Sequence, residues 1–78
     1  MSPMDVNELV ASRQLPRPEL RRALRLEAEL TLEDIASRCD VTRSAVSRWE
    51  RGLRDPKGSN RVEYSKLLAV LRDVLRHA

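Results

Sequence analysis

Arg43, Ser44, Ser47 and Arg48 fall on one side of a helical repeat whose other side carries Ala45, Val46 and Trp49. An arginine can give two N–H groups to guanine O6 and N7, and a serine hydroxyl can donate to a base edge or a phosphate. Arg51 ends the same run, and Arg54 and Lys57 follow it. A face of donors continued by cations suits the holding of a polyanion. Covalent chemistry has little to work with. The chain has two glycines, one cysteine and one histidine, and it shows no nucleophile–base pair, no metal-ligand cluster and no glycine-rich phosphate loop. No catalytic residue, metal, cofactor or small-molecule ligand is expected. Cys39, on an apolar helix face, reads as a core thiol, and the penultimate His77 as an exposed tail residue. Trp49 could stack on a base, but its place beside Val46 makes it a core residue. With Tyr64 the only other aromatic, a sheet or single-strand platform for RNA is not expected.

The elements that must position these side chains are legible in the stretch Thr31–Gly52. It reads as two short helices, about Leu32 to Cys39 and about Arg43 to Arg51, joined by a tight turn. Thr31 and Thr42 stand where each helix wants a side-chain oxygen to accept a backbone N–H. Asp34 follows Thr31 at capping-box distance. Leu32, Ile35, Ala36 and Cys39, then Val41, Ala45, Val46 and Trp49, recur at helical spacing. Gly52 comes where a left-handed residue closes a helix. Two helices so joined fit a helix-turn-helix, whose second helix enters a DNA major groove. In that geometry Arg43, Ser44, Ser47 and Arg48 face base edges, while Thr31, Thr42, Arg51, Arg54 and Lys57 bind phosphates and set register.

The same stretch resembles the DNA-binding domain of the lambda-repressor/Cro-like, or xenobiotic-response-element, family. The resemblance rests on Thr-Leu-x-x-Ile-Ala at Thr31–Ala36, Val-Thr-Arg-Ser-x-Val-Ser-Arg at Val41–Arg48, Glu50-Arg51-Gly52, and Arg54-Asp55-Pro56. It extends from about Arg21 to Leu71. One departure is Glu29, where the family often has glycine. The resemblance implies an ion pair between Arg25 and Glu50, joining the preceding helix to the recognition helix. It also implies that Arg54, Lys57 and the amides around Gly58–Asn60 lie along the phosphate backbone.

Seventy-eight residues allow one small domain, and a single cysteine excludes an internal disulfide. The net charge of +3 is unevenly spread. Residues 1–41 carry six basic and eight acidic side chains, residues 42–57 five and two, and residues 58–78 four and two. Positive density thus begins at the recognition helix, as expected for a phosphate-binding face. No apolar run approaches membrane-spanning length and no secretory signal precedes the domain, so a cytoplasmic protein is expected.

The expected fold is all-α, a compact bundle of four to five helices. Residues 1–15 form an N-terminal segment and residues 16–78 the domain. Val6–Arg13 could be a short helix; packing on the domain, packing on a partner and disorder are all compatible with it. Pro18 opens a helix to Ala28, with Leu20, Ala23, Leu24 and Leu26 inward and Arg21, Arg22, Glu27 and Glu29 mostly outward. Leu53–Asn60 reads as a loop, and Asn60 with Glu63 as the capping box of a last helix over Arg61–Arg76. Its stripe is Tyr64, Leu67, Leu68, Leu71, Val74 and Leu75. Leu71–Leu75 or residues 6–10 could pair two copies. The reading is a double-stranded-DNA regulator of repressor or Cro type. Rival readings are a protein-interaction module of antitoxin or adaptor type, gripping its partner through residues 6–10 and 70–75, and an excisionase-like architectural protein.

Overall fold

The computed structural model describes residues 15–77. Their regular structure is four helices: α1 Pro18–Glu27, α2 Leu32–Cys39, α3 Arg43–Glu50 and α4 Gly58–Arg76. No strand occurs among them. The short helix expected over Val6–Arg13 and the pairing role of residues 6–10 lie outside the described residues. α2 packs on α3, α1 on α3 and α4, and α4 also on α2.

Local sequence explains the helix boundaries. Pro18 starts α1, where its missing N–H costs nothing, and Glu19 sits in the positive first turn. The Thr31 hydroxyl accepts from the Asp34 N–H at 3.0 Å, and the Asp34 carboxylate accepts from the Thr31 N–H at 2.8 Å, completing a capping box on α2. The Thr42 hydroxyl caps α3 by accepting from the Ala45 N–H at 3.1 Å. Three helices close the same way. Beyond α1, α2 and α3 a left-handed residue lets the next N–H reach back five residues: Leu30 to Arg25, Val41 to Ala36 and Leu53 to Arg48. The left-handed residues are Glu29 (φ 59°), Asp40 (φ 56°) and Gly52 (φ 71°). Glu29 therefore adopts the conformation for which the family often uses glycine, and α1 ends at Glu27, one residue before the expected Ala28.

The core is Leu24, Ile35, Ala36, Cys39, Val46, Trp49, Tyr64, Leu68 and Leu71. The Trp49 and Tyr64 rings meet with centroids 4.7 Å apart and planes inclined at 46°. Cys39 is buried among these residues, and burial pushes its thiol up, away from the reactive thiolate. Leu20, Leu67 and Leu75 pack partly buried around the core.

Several expected faces are corrected. Ala23 is exposed and Leu26 is 49 % exposed, whereas Arg21 is buried. The inner stripe of α1 is Arg21, Leu24 and Arg25, because the end of α3 supplies a carboxylate and a carbonyl that need donors. α4 begins at Gly58, not Arg61, so Asn60 lies inside its first turn and the Asn60–Glu63 box does not cap it. Lys57 is extended, and Gly58 at φ 59° turns the chain into the helix early. The loop shortens accordingly, to residues 53–57. Val74, expected in the buried stripe, is 57 % exposed. The 19 residues of α4 outrun the ten of α1 and the eight each of α2 and α3, leaving its last turns little to pack on.

Candidate nucleic-acid interface

α3 is a helix with one anchored and one open face. Val46 is fully buried and Trp49 and Glu50 nearly so, which fixes the rotation of the helix about its axis. On the far side Arg43, Ser44 and Arg48 are exposed, while Ser47 is half-buried. The side chains of Arg43, Arg48, Arg54 and Lys57 donate no hydrogen bond to, and form no ion pair with, any described residue, so their charge is available to a ligand. Arg51 is exposed too, but its Nε donates to the Ser47 carbonyl at 3.4 Å, which lays its stem along the end of α3.

The two motif helices present different N-termini. Neither Glu nor Asp occurs in the first turn of α3, whereas α2 has Glu33 and Asp34 there. A helix N-terminus attracts anions unless nearby carboxylates cancel its partial positive charge. The start of α3, with Thr42 and Arg43, is therefore electropositive, and the start of α2 is not. Both cap hydroxyls accept a backbone N–H; Thr42 keeps its own hydrogen to donate, whereas that of Thr31 goes to the Asp34 carboxylate. Hydrogen bonds from the Thr31 backbone and hydroxyl hold the Asp34 carboxyl below its ordinary range.

Behind this face lies a buried ion pair. Arg25 Nε donates to Glu50 Oε2 at 2.6 Å and Arg25 Nη2 to Glu50 Oε1 at 2.9 Å, a two-pronged contact. Arg25 Nη1 adds a bond to the Leu30 carbonyl at 2.9 Å. Arg25 thus ties together the end of α3, α1 and the entry to α2. Sequence reasoning placed the neighbouring Arg21 outside. It is buried, and it reaches the Trp49 carbonyl at 3.0 Å and Asp55 Oδ1 at 2.8 Å. The available signal was its spacing: Arg21 precedes Arg25 by one helical turn and shares its face.

Thr31, Thr42, the exposed side of α3 and the loop carrying Arg54 and Lys57 follow one another along a two-helix motif whose second helix stands free on one side. A model of the helix-turn-helix family of lambda repressor and Cro type matches residues 22–75. The chain belongs to the lambda repressor/Cro-like helix-turn-helix family. It is therefore of DNA-binding, transcription-regulator type, in a family that is typically not enzymatic. No curated protein and no solved structure matches the chain. No helix among the described residues is long and apolar enough to cross a membrane.

Proposed function

We propose that this helix-turn-helix chain is a sequence-specific double-stranded-DNA regulator of repressor or Cro type, acting in the cytoplasm without enzymatic activity. The observation that carries the reading is the open face of α3. Its cations Arg43 and Arg48 are exposed and without partners among the described residues, while the opposite face is locked into the core. α3 lies in the major groove. Arg43 and Arg48 read base edges, guanine being the natural partner of a two-pronged arginine. Ser44 reaches a base or an adjacent phosphate, and the half-buried Ser47 lets the helix approach closely. Thr42, Arg51, Arg54 and Lys57 bind phosphates, with the first-turn amides of α4 beside them. Thr31 binds a phosphate too, against the opposing charge of Glu33 and Asp34 in the first turn of α2. The Arg25–Glu50 pair contacts no base and sets the angle of α3 to α1.

A module of this size binds weakly alone, so two copies on a two-fold related site are the working unit. Selection from random duplex DNA at two salt concentrations, with Arg43→Ala beside the parent, tests the reading. Enrichment of a two-fold motif that the variant loses or relaxes at particular bases is expected. Enrichment of no sequence at all, with binding abolished by salt alone, would overturn it. A motif without symmetry, together with bent DNA, would favour the excisionase-like reading.

Val70 and Val74, each 57 % exposed and one helical turn apart, favour a second surface for a partner chain. An antitoxin- or adaptor-type role through that surface is compatible with DNA binding through α3.

A further inference from the structure

The side chain of Arg21 is 5 % exposed, and its guanidinium is shared among three segments. Nε donates to the Pro16 carbonyl at 2.7 Å. Nη1 donates both to the Trp49 carbonyl, at the end of α3, and to Asp55 Oδ1, in the following loop. Asp55 stands between Arg54 and Lys57 in sequence. A second contact fastens the same segment to α1. Gly52 lies so close to Pro18 that a Cβ on it would stand 3.1 Å from Pro18 Cγ. The first turn of α1 therefore grips the chain at Trp49, Gly52 and Asp55. The grip also settles a charge problem. The Asp55 side chain is 54 % exposed, and an unpaired carboxylate there would repel a phosphate and draw the two neighbouring cations onto itself. Beside Arg21 that charge is balanced.

We propose that Arg21 and Asp55 are positioning residues for DNA binding. They touch no DNA; they hold the loop of residues 53–57 against α1 so that Arg54 and Lys57 are presented to the phosphates flanking the groove that α3 enters. The inference rests on the DNA-binding reading of α3. Arg21 lies one residue before the segment matched by the family model, and the clamp is made of this chain's own contacts.

The sign of one substitution separates positioning from simple charge. Asp55→Ala removes a negative charge from the DNA side, and by charge alone it tightens binding. Loss of the clamp weakens it. The experiment measures affinity of the full chain for the duplex selected by the parent, across a salt series, with thermal unfolding followed in parallel. Asp55→Ala is expected to bind about five- to tenfold more weakly, the scale of one ordinary net hydrogen bond. Its salt slope is expected to flatten by about one to two, as Arg54 and Lys57 lose their phosphates. Adding Arg54→Ala to Asp55→Ala should then cost little, although Arg54→Ala alone weakens the parent. Asp55→Asn, which keeps an oxygen for Arg21, should stay nearer the parent than Asp55→Ala; it also serves as the test if the alanine variant does not fold. Equal or tighter binding by the variants at an unchanged slope would overturn the clamp alone. A parent that selects no duplex would overturn the DNA-binding reading and the clamp with it.

Discussion

Arg43 and Lys57 are both exposed cations, yet their substitutions should read differently. Arg43→Ala is expected to cost about 1–3 kcal/mol on the preferred duplex and to relax preference at one position, because a two-pronged base contact discriminates. Lys57→Ala should weaken all duplexes alike and lower the salt slope by about one. Competition binding against single-base variants of the selected site distinguishes the two. Glu50 is a different kind of residue. Its side chain is 4 % exposed and its carboxylate neutralises a buried Arg25. Glu50→Ala leaves that guanidinium buried and uncompensated, so a loss of about 3 kcal/mol in urea unfolding is expected. Such a loss would take a large part of the stability of a domain this small. Asp34 links stability to pH. Its folded carboxyl sits below the ordinary value, so its contribution is complete above about pH 4 and is lost as pH falls through the lowered value. Asp34→Asn should flatten that part of the acid-unfolding profile while leaving stability at pH 7 lower than the parent's.

α1, α2 and α3 owe their ends to three left-handed residues that solve the same problem with different side chains. Glu29 and Asp40 carry a Cβ into a region where a side chain is strained, while Gly52 does not. Glu29→Gly should therefore raise stability, by about 0.5–1 kcal/mol once the added freedom of the unfolded chain is subtracted. Gly52→Ala meets both a positive φ and a Pro18 carbon 3.1 Å away, and should lower stability by about 1–2 kcal/mol. Thermal unfolding of both variants checks the pair of opposite signs. The α2 and α3 boundaries were readable because their threonine caps and apolar periods lie within one turn of each other. The start of α4 was not. Asn60-Arg61-Val62-Glu63 has the letters of a capping box, but the loop before it, with Pro56 buried and Gly58 left-handed, brings the chain into helix before Asn60 is reached. A cap pattern states a local preference, and tertiary placement of the preceding loop outweighed it.

For the whole molecule, the division of labour follows depth and charge. The core joins α2 and α3 to α1 and α4, and the open side of α3 continues into a basic loop. The far end of α4 carries Val70 and Val74 in the open. If that end joins two copies on DNA, Val70→Lys with Val74→Lys should leave the fold within about 0.5 kcal/mol per site, since surface changes seldom cost more. The double variant should abolish cooperative filling of paired half-sites while sparing the affinity of one half-site. Titration of one- and two-site duplexes, read by mobility shift, checks this.

Local pattern was enough for the all-helical class, the two motif helices with their caps, the apolar residues of α2 and α3, and the exposure of Arg43, Ser44 and Arg48. Each of these is a local matter of period and cap, decided by residues within a few positions of one another. The sequence also singled out Arg25 and Glu50, though only through a family resemblance, because nothing within four residues of either marks its partner. Packing of the helices on one another turned Arg21 inward while leaving Ala23 and Leu26 outside, and set Asp55 against Arg21. The reason is that donors and acceptors left over at helix ends must be satisfied wherever they are buried. The carbonyl of Trp49 and the carboxylate of Glu50 become buried needs only when α1 lies across the end of α3. Periodicity ranks side chains by hydropathy and places an arginine outside; folding placed two of them where the polar groups were.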